Sequence, residues 1–291
     1  MKISGFTFVR NAVKFDYPVV ESITSILPIV DEFIVSVGNS DDNTLQIIES
    51  IASPKIKIFH SEWDNLLREE GKVLATETNK ALAQISPDAD WAFYLQADEV
   101  VHEKDLTKIV TAASSYLNND AVEGLLFNYF HFYGTYDYIG NSHKWYDKEI
   151  RIIRNNNKII SYRDAQGFRT KQNDKLKVKQ IDACIYHYGW VRHPKKQQEK
   201  LNNFSSYWAG EQNNAQQMTR NEKFDFLNHV DIVDYFNGTH PAVMKKRIEE
   251  KNWKLDFDVK KKNIPLKDHL LHIVEKRIGK RLFIYKNYKI I

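Results

Sequence analysis

Cysteine is nearly missing: Cys184 stands alone among 291 residues. An intramolecular disulfide framework is therefore excluded, and a reducing compartment fits. Within Asp182-Ala183-Cys184-Ile185-Tyr186 this thiol reads as a small buried strand residue. Long apolar runs are missing too. No stretch nears the roughly 18 apolar residues that cross a bilayer. The run Ile3 to Val9 is too short for a signal-peptide core and lacks a small-residue cleavage site. The expectation is a cytoplasmic protein, soluble or peripheral at the inner face of the membrane. No internal repeat is present. The loop after the first apolar run, Val9-Arg10-Asn11-Ala12, has no glycine, which argues against the Gly-rich phosphate loop of a nucleotidyltransferase.

What is there is a globular composition: 42% hydrophobic, 13% aromatic and 27% charged residues, far from a disordered chain and enough for one large α/β domain or a domain with an appendage. The net charge of +4 is unevenly spread. Residues 251–291 hold 12 Lys/Arg against 4 Asp/Glu, a net +8, which leaves residues 1–250 at −4. With the basic residues confined to one end and no RNA or DNA motif, no nucleic-acid partner is expected.

The first hundred residues alternate between apolar runs and helical patterns. Ile3–Val9, Phe33–Val37, Ile56–Phe59 and Trp91–Leu95 read as strands. Helices are expected over Pro18–Leu27, from Asp42 to about Ala52, and over about Arg68–Ile85. This is the pattern of βαβ units and a parallel sheet, whose function sits at the carboxyl ends of its strands. Three polar clusters follow such ends: Arg10-Asn11, Asn39 to Asp42, and Gln96 to Glu99. After a helix over about Asp105–Leu117 the chain becomes aromatic, from Gly124 to Arg154, and reads as strands and loops. Further strands are expected at Ile159–Tyr162 and Val178–His187, helices over Pro194–Trp208, Pro241–Lys251 and Leu266–Ile278, and a polar loop over Gly210–Asn221.

Asp98-Glu99 is a carboxylate pair just past a buried strand, costly unless it meets water, a donor or a cation. Carboxylates with phosphate oxygens are the usual holders of Mg²⁺ or Mn²⁺. An exposed turn with Glu99 or Glu103 capping the next helix is the competing account. The order of motifs resembles glycosyltransferase family 2. Val9-Arg10-Asn11, Asp31-Glu32, Gly38-Asn39-Ser40-Asp41-Asp42-Asn43-Thr44 (similar to D-G-S-T-D-G-T), Thr78-Asn79 and the strand Trp91 to Glu99 (similar to the one bearing D-x-D) carry the likeness. Arg151 to Arg154, Tyr186 to Arg192 and Phe236 to Pro241 extend it over about residues 1–250.

The resemblance implies a GT-A fold, an α/β Rossmann-like and mostly parallel sheet. Its catalytic domain would span 1–235, with a nucleotide-sugar half to about 100 and an acceptor half to 235. A basic helical extension would cover 236–291. It implies a probe-worthy donor, a nucleotide sugar with UDP favoured, a glycan or lipid-linked acceptor of the kind used for cell-surface polysaccharide, a Mn²⁺ or Mg²⁺ cofactor, and inversion. Asp98 takes the place of the last D-x-D aspartate as metal ligand, and His187 that of a C-terminal histidine ligand; a hydrogen-bonded core histidine is the alternative for the latter. Val9, Arg10, Asn11, Asn39, Ser40, Asp42, Asn79, Gln96, Ala97 and Asp98 would line the nucleotide. For Asp42 a helix cap is the competing role, and for Lys72, on the face of Asn79, a solvated position.

Two departures stand out. Gln96 replaces the first D-x-D aspartate, with Glu99 a candidate to compensate, or Gln96 itself a hydrogen-bond partner of the ribose or sugar. Gly38 replaces the aspartate that commonly meets the base. The catalytic base is sought among Asp137, Asp147, Glu149 and Asp164, with Glu149 favoured and Asp147 next; pairing with Lys144, Lys148 or Arg151 would make them structural. Trp145 and Tyr146 could stack on a sugar. Leu266, Leu270, Leu271, Val274 and Ile278 form an apolar stripe near Lys267, Lys276, Arg277, Lys280 and Arg281. Such a helix either lies on anionic membrane or packs on the domain with a wet basic face. A nucleotidyltransferase and a non-catalytic relative of the family are the alternative functions.

Overall fold

The computed structural model describes residues 1–64, 67, 71–205, 222–278 and 281–291. Its first part follows the expected alternation: β1 (Ile3–Val9), α1 (Val19–Ile26), β2 (Glu32–Gly38), α2 (Thr44–Glu49), β3 (Ile56–Ser61), α3 (Lys72–Leu82) and β4 (Trp91–Tyr94). Every side chain of β2 and β4 is buried. That is what near-continuous apolar runs become when helices cover both faces of a sheet. β1 pairs in parallel with β2 and β4, and β2 with β3. The order 3-2-1-4 puts a topological switch point between β1 and β4, where a crevice opens at the carboxyl ends.

The second part comprises β5 (Glu99–Val101), α4 (Leu106–Ser115), β6 (Gly124–Gly134), β7 (Tyr138–Gly140), β8 (Lys148–Arg154), β9 (Ile159–Tyr162), β10 (Gly167–Thr170) and β11 (Leu176–Val191). The strand expected at Val178–His187 is therefore longer, 16 residues. Register shifts between Gln180 and Cys184 and between His187 and Trp190 let one strand bend along β6 and meet several partners. β8 continues the sheet antiparallel to both β4 and β6, and β11 pairs in parallel with β6. Cys184, on β11, is half-buried.

The remaining elements are α5 (Pro194–Ser205), α6 (Phe226–His229), β12 (Val233–Tyr235), α7 (Lys245–Glu249), α8 (Leu266–Ile278) and β13 (Tyr288–Ile290). The extension over 236–291 is not purely helical, because β13 returns to the main sheet beside β11. The expected start of the third helix at Arg68, the end of the helix expected to reach Trp208, the whole loop expected over Gly210–Asn221 and Lys280 lie outside the described residues.

α8 forms over the residues expected, but its burial is reversed. Its buried positions are polar, His272 and Glu275, with Glu275 accepting from the Leu282 backbone at 2.6 Å and lying 2.9 Å from His143 Nε2. Leu270, Ile273, Val274 and Ile278 are exposed. Among the described residues no helix is long and apolar enough to cross a membrane.

Candidate functional site

β4 ends at Tyr94, and Leu95-Gln96-Ala97-Asp98 turns the chain into β5. β5 pairs antiparallel with β11, setting Glu99 opposite His187, and the Tyr188 N–H donates to the Asp98 carbonyl at 2.8 Å. The turn is thereby stitched to the segment His187-Tyr188-Gly189. Asp98 is 7% exposed. Its Oδ1 lies 3.6 Å from His187 Nε2 and its Oδ2 3.3 Å from Lys200 Nζ, on α5. Lys200 also donates to the Gly189 carbonyl at 2.9 Å. Burial alone would raise the Asp98 pKa, but Lys200, His187 and Arg192 outweigh it and hold it at about 2. Burial and the like charge of Arg192 pull Lys200 down to about 7 against the attraction of Asp98.

A histidine pair fixes the proton positions. His131 Nε2 lies 2.8 Å from the Tyr146 carbonyl, which only accepts, so Nε2 carries a proton. Burial holds His131 far below the usual imidazole pKa, so its Nδ1 is a lone pair. That lone pair, 3.0 Å away, accepts the Nδ1 proton of His187. Burial likewise lowers the His187 pKa. His187 Nε2 is thereby turned to the Asp98 carboxylate, 3.6 Å from its Oδ1. An imidazole nitrogen and a carboxylate oxygen side by side are ligand types for a divalent cation, with His131 orienting the imidazole from behind. Among the described residues there is no cluster of three or more metal-type side chains. The donor set fits a cation as two protein ligands that oxygens of a bound phosphate complete.

Asp98 and His187 line a cavity of about 330 Å³ together with Arg10, Tyr17, Trp63, Gln96, Tyr146, Asp164, Gln166, Trp190 and Lys200. Of the residues expected along a nucleotide, Val9, Arg10, Gln96, Ala97 and Asp98 are at this cavity. Asn11, Ser40 and Asp42 form its support. Asn11 donates its N–H to Ser40 and accepts from the Asp41 N–H, and Asp42 accepts from the backbone of Lys14 and Thr44. Asn39 is exposed. Asn79 is turned elsewhere, accepting from the Ser161 N–H at 2.8 Å. Lys72 is exposed at the start of α3. A Cβ on Gly38 would collide with the Trp63 indole, so Trp63 stands where an acidic side chain at 38 would point. The Arg10 guanidinium lies 5.6 Å from the same ring.

Gln96 and Glu99, on either side of the D-x-D turn's Asp98, have structural roles. Gln96 donates to the Ala165 carbonyl at 3.2 Å. Glu99 does not compensate at the cavity. It is fully buried and bound by Arg151 through two 2.7 Å hydrogen bonds and by the Tyr129 hydroxyl at 2.8 Å. Arg151 donates in turn to the Gln166 carbonyl at 2.8 Å. Both residues therefore hold the turn 163–166, in which Asp164 lies between Arg163 and Ala165, each at positive φ. Burial raises the Asp164 pKa.

The favoured base positions are not brought to this cavity. Glu149 is 1% exposed, beneath Gly167, and burial lifts its pKa to about 7. Asp147 pairs with Lys148 at 2.8 Å and faces a separate cavity beneath α8. Asp137 lies 3.5 Å from Lys251. Of the four candidates only Asp164 lines the cavity. Trp145 packs against His131 and Trp190 in the aromatic layer below, while Tyr146 reaches the cavity wall. His131, Lys200, Trp63 and Gln166 carry no motif in the sequence. The one signal was positional: His131 and His187 become neighbours only when β6 and β11 pair in register.

The Glycosyl transferase family 2 model matches residues 10–176. No curated protein sequence matches the chain. Among solved structures, the chain is similar to S. aureus TarS 1-349 in complex with UDP, at 15% identity over 71% of this chain and 65% of that one, TM-score 0.40. It is similar to glucosyl-3-phosphoglycerate synthase from Mycobacterium tuberculosis in complex with Mn2+, UDP and phosphoglyceric acid, at 18% identity over 45% and 43%, TM-score 0.31. For mannosyl-3-phosphoglycerate synthase from Rubrobacter xylanophilus the identity is 19% over 45% and 41%, TM-score 0.32. The chain thus spans about 65% of the TarS chain and less than half of the other two.

Proposed function

The chain belongs to glycosyltransferase family 2, and from that premise we propose that it moves a sugar from a nucleotide-sugar donor to a hydroxyl of a glycan or lipid-linked acceptor, inverting the anomeric carbon. The observation that carries the reading is the convergence on one cavity of Asp98, the His187 imidazole, the Arg10–Trp63 wall and the half-buried carboxylate of Asp164. A UDP-sugar is the donor that the motif resemblance favours.

In this reading Trp63 and Arg10 flank the nucleotide. Asp98 and His187 would hold Mn²⁺ or Mg²⁺, which supplies neutralisation of the diphosphate leaving group. Asp164 takes the acceptor hydroxyl proton as that oxygen bonds to the anomeric carbon and the bond to the diphosphate oxygen breaks. Its raised proton affinity suits a base. Gln96 and Arg151 keep its turn in place, and Tyr146 and Trp190 offer flat faces to a sugar ring. We place the acceptor at a membrane surface, reached through the exposed apolar face of α8.

The test is a panel of UDP-, GDP-, dTDP- and CMP-sugars with Mn²⁺, read as donor hydrolysis and transfer. Asp98→Ala should abolish turnover and metal-dependent nucleotide binding with the melting temperature retained. Asp164→Asn should lose about 100-fold in turnover while donor affinity survives. No turnover with any donor, or full turnover in Asp98→Ala, overturns the reading.

A further inference from the structure

The turn that carries Asp164 is strained on both sides of it. Arg163 and Ala165 sit at φ 53° and 63°, a backbone region that glycine alone enters freely. Such a turn persists only where its surroundings over-determine it. The hairpin that displays it, β9–β10, forms a two-stranded sheet of its own rather than joining the main sheet. A lone hairpin is marginal in water. Phe168 packs this one down on Phe6 and Tyr94, and a clasp from the far end of the chain ties it. Arg169, on β10 and buried, donates from Nε to Asn287 Oδ1 at 2.6 Å, from Nη2 to the Tyr285 hydroxyl at 2.7 Å and from Nη1 to the Asn173 carbonyl at 2.8 Å. Its guanidinium lies 4.4 Å from the ring centre of Tyr162, the residue paired with Gly167 across the turn. Asn287 lies so close to Gly167 that a Cβ there would come within 2.9 Å of its Nδ2.

We propose that Arg169 and Asn287 are positioning residues: with Tyr285 they strap the C-terminal segment to the β9–β10 hairpin and so hold the Asp164 carboxylate at the cavity. The strap has fixed ends. On one side Arg281 donates to the Trp145 carbonyl and to Asn141 Oδ1, and on the other β13 pairs with β11. A segment anchored at both ends fixes what it touches, as a free tail does not. Gln96 and Arg151 grip the turn at Ala165 and Gln166. The strap grips the next stretch, at Gly167 and Arg169, so the chain is held continuously from Asp164 into β10. The inference rests on the reading of Asp164 as the base, and adds to it the residues that aim that base.

Two variants of the full chain test the strap. Arg169→Lys keeps the charge and loses the fork that reaches three acceptors at once. Tyr285→Phe removes one hydroxyl from a side chain that is 61% exposed, so it decides alone should Arg169→Lys melt early. The first readout needs no donor: the Asp164 carboxyl is titrated by NMR with isotope-labelled aspartate, and Asp164→Asn identifies its signal. Burial holds its pKa above the usual range, and a turn released to water should let it fall back toward that range. The charged groups around it, Arg163 and Arg151 near the turn and Arg10, Asp98, His187 and Lys200 at the cavity, are the same in the wild type and both variants. The second readout is turnover with the sugar nucleotide that the donor panel selects. Arg169→Lys should lose about tenfold in kcat with the donor KM unchanged. The acid limb of its pH profile should move to lower pH, because the base gives up its proton more easily. An Asp164 pKa that keeps its wild-type position in both variants overturns the proposal, as does a raised KM with kcat untouched. Failure of the sugar-transfer reading looks different: the carboxyl titration shifts as described, and the wild type consumes no sugar nucleotide.

Discussion

Glu149 shows at the residue scale why a carboxylate's position in the sequence is a poor guide to its work. It lies in an aromatic, charged segment and precedes a strand, which made it the favoured base; the fold puts it at 1% exposure under Gly167, away from the cavity. Its buried carboxyl has a pKa of about 7, raised by burial from 4.5. A carboxyl that binds its proton more tightly in the folded state loses stability as pH rises between those two values. Glu149→Gln removes that cost. The variant should match the wild type near pH 4.5 and gain on the order of 2–3 kcal/mol at pH 8, seen as a difference in melting temperature of several degrees that grows with pH. Donor turnover should persist. A melting difference independent of pH, or lost turnover, would return Glu149 to the list of bases. Asp98 was legible for the opposite reason: it follows a fully buried strand, where an acidic side chain needs a partner that the local sequence does not contain.

The elements divide in the same way. The strands and helices to Tyr94 were legible because each is a local apolar period bounded by polar residues, and the parallel sheet follows from their alternation. The carboxyl ends of β1 and β4 could be identified as a site on that ground alone. The wall built by β11 and α5 could not. His131 meets His187 across a strand pair separated by 56 residues, and Lys200 meets Asp98 across 102. No periodicity encodes contacts of that range. The replacement of the first D-x-D aspartate by Gln96 looked like a lost ligand and is better understood as a strut, since Gln96 holds the turn that carries Asp164. Gly189 gives the junction of β5 and β11 a test. A Cβ there would sit 2.6 Å from His187 Nε2 and 2.8 Å from Asp98 Oδ2, and both partners are pinned by their own hydrogen bonds. Gly189→Ala should therefore keep the melting temperature within a few degrees and weaken metal-dependent nucleotide binding by about tenfold, or 1.4 kcal/mol. Unaltered binding would mean that Asp98 and His187 do not act together.

For the whole molecule the charge split and the orientation of α8 point one way. The sequence left two options for the apolar stripe, burial against the domain or contact with a membrane, because a helical period does not say which side faces inward. The structure turns His272 and Glu275 inward and leaves Leu270, Ile273, Val274 and Ile278 exposed, with Phe283 90% exposed nearby. Lys267 and Arg277 are exposed within the same helical face, and the segment 251–291 carries net +8. Apolar side chains flanked by cations suit the interface of an anionic bilayer, where each basic residue near the surface contributes about 1 kcal/mol. Flotation with vesicles rich in phosphatidylglycerol should carry the full chain, and pure phosphatidylcholine should not. Leu270→Ser with Val274→Ser should abolish flotation while hydrolysis of the soluble donor continues, since α8 does not touch the cavity. If the double variant floats as well as the wild type, the face is not a membrane surface. If instead the wild type stays in solution and runs as a dimer that the same double variant splits, the face belongs to a second copy of the chain.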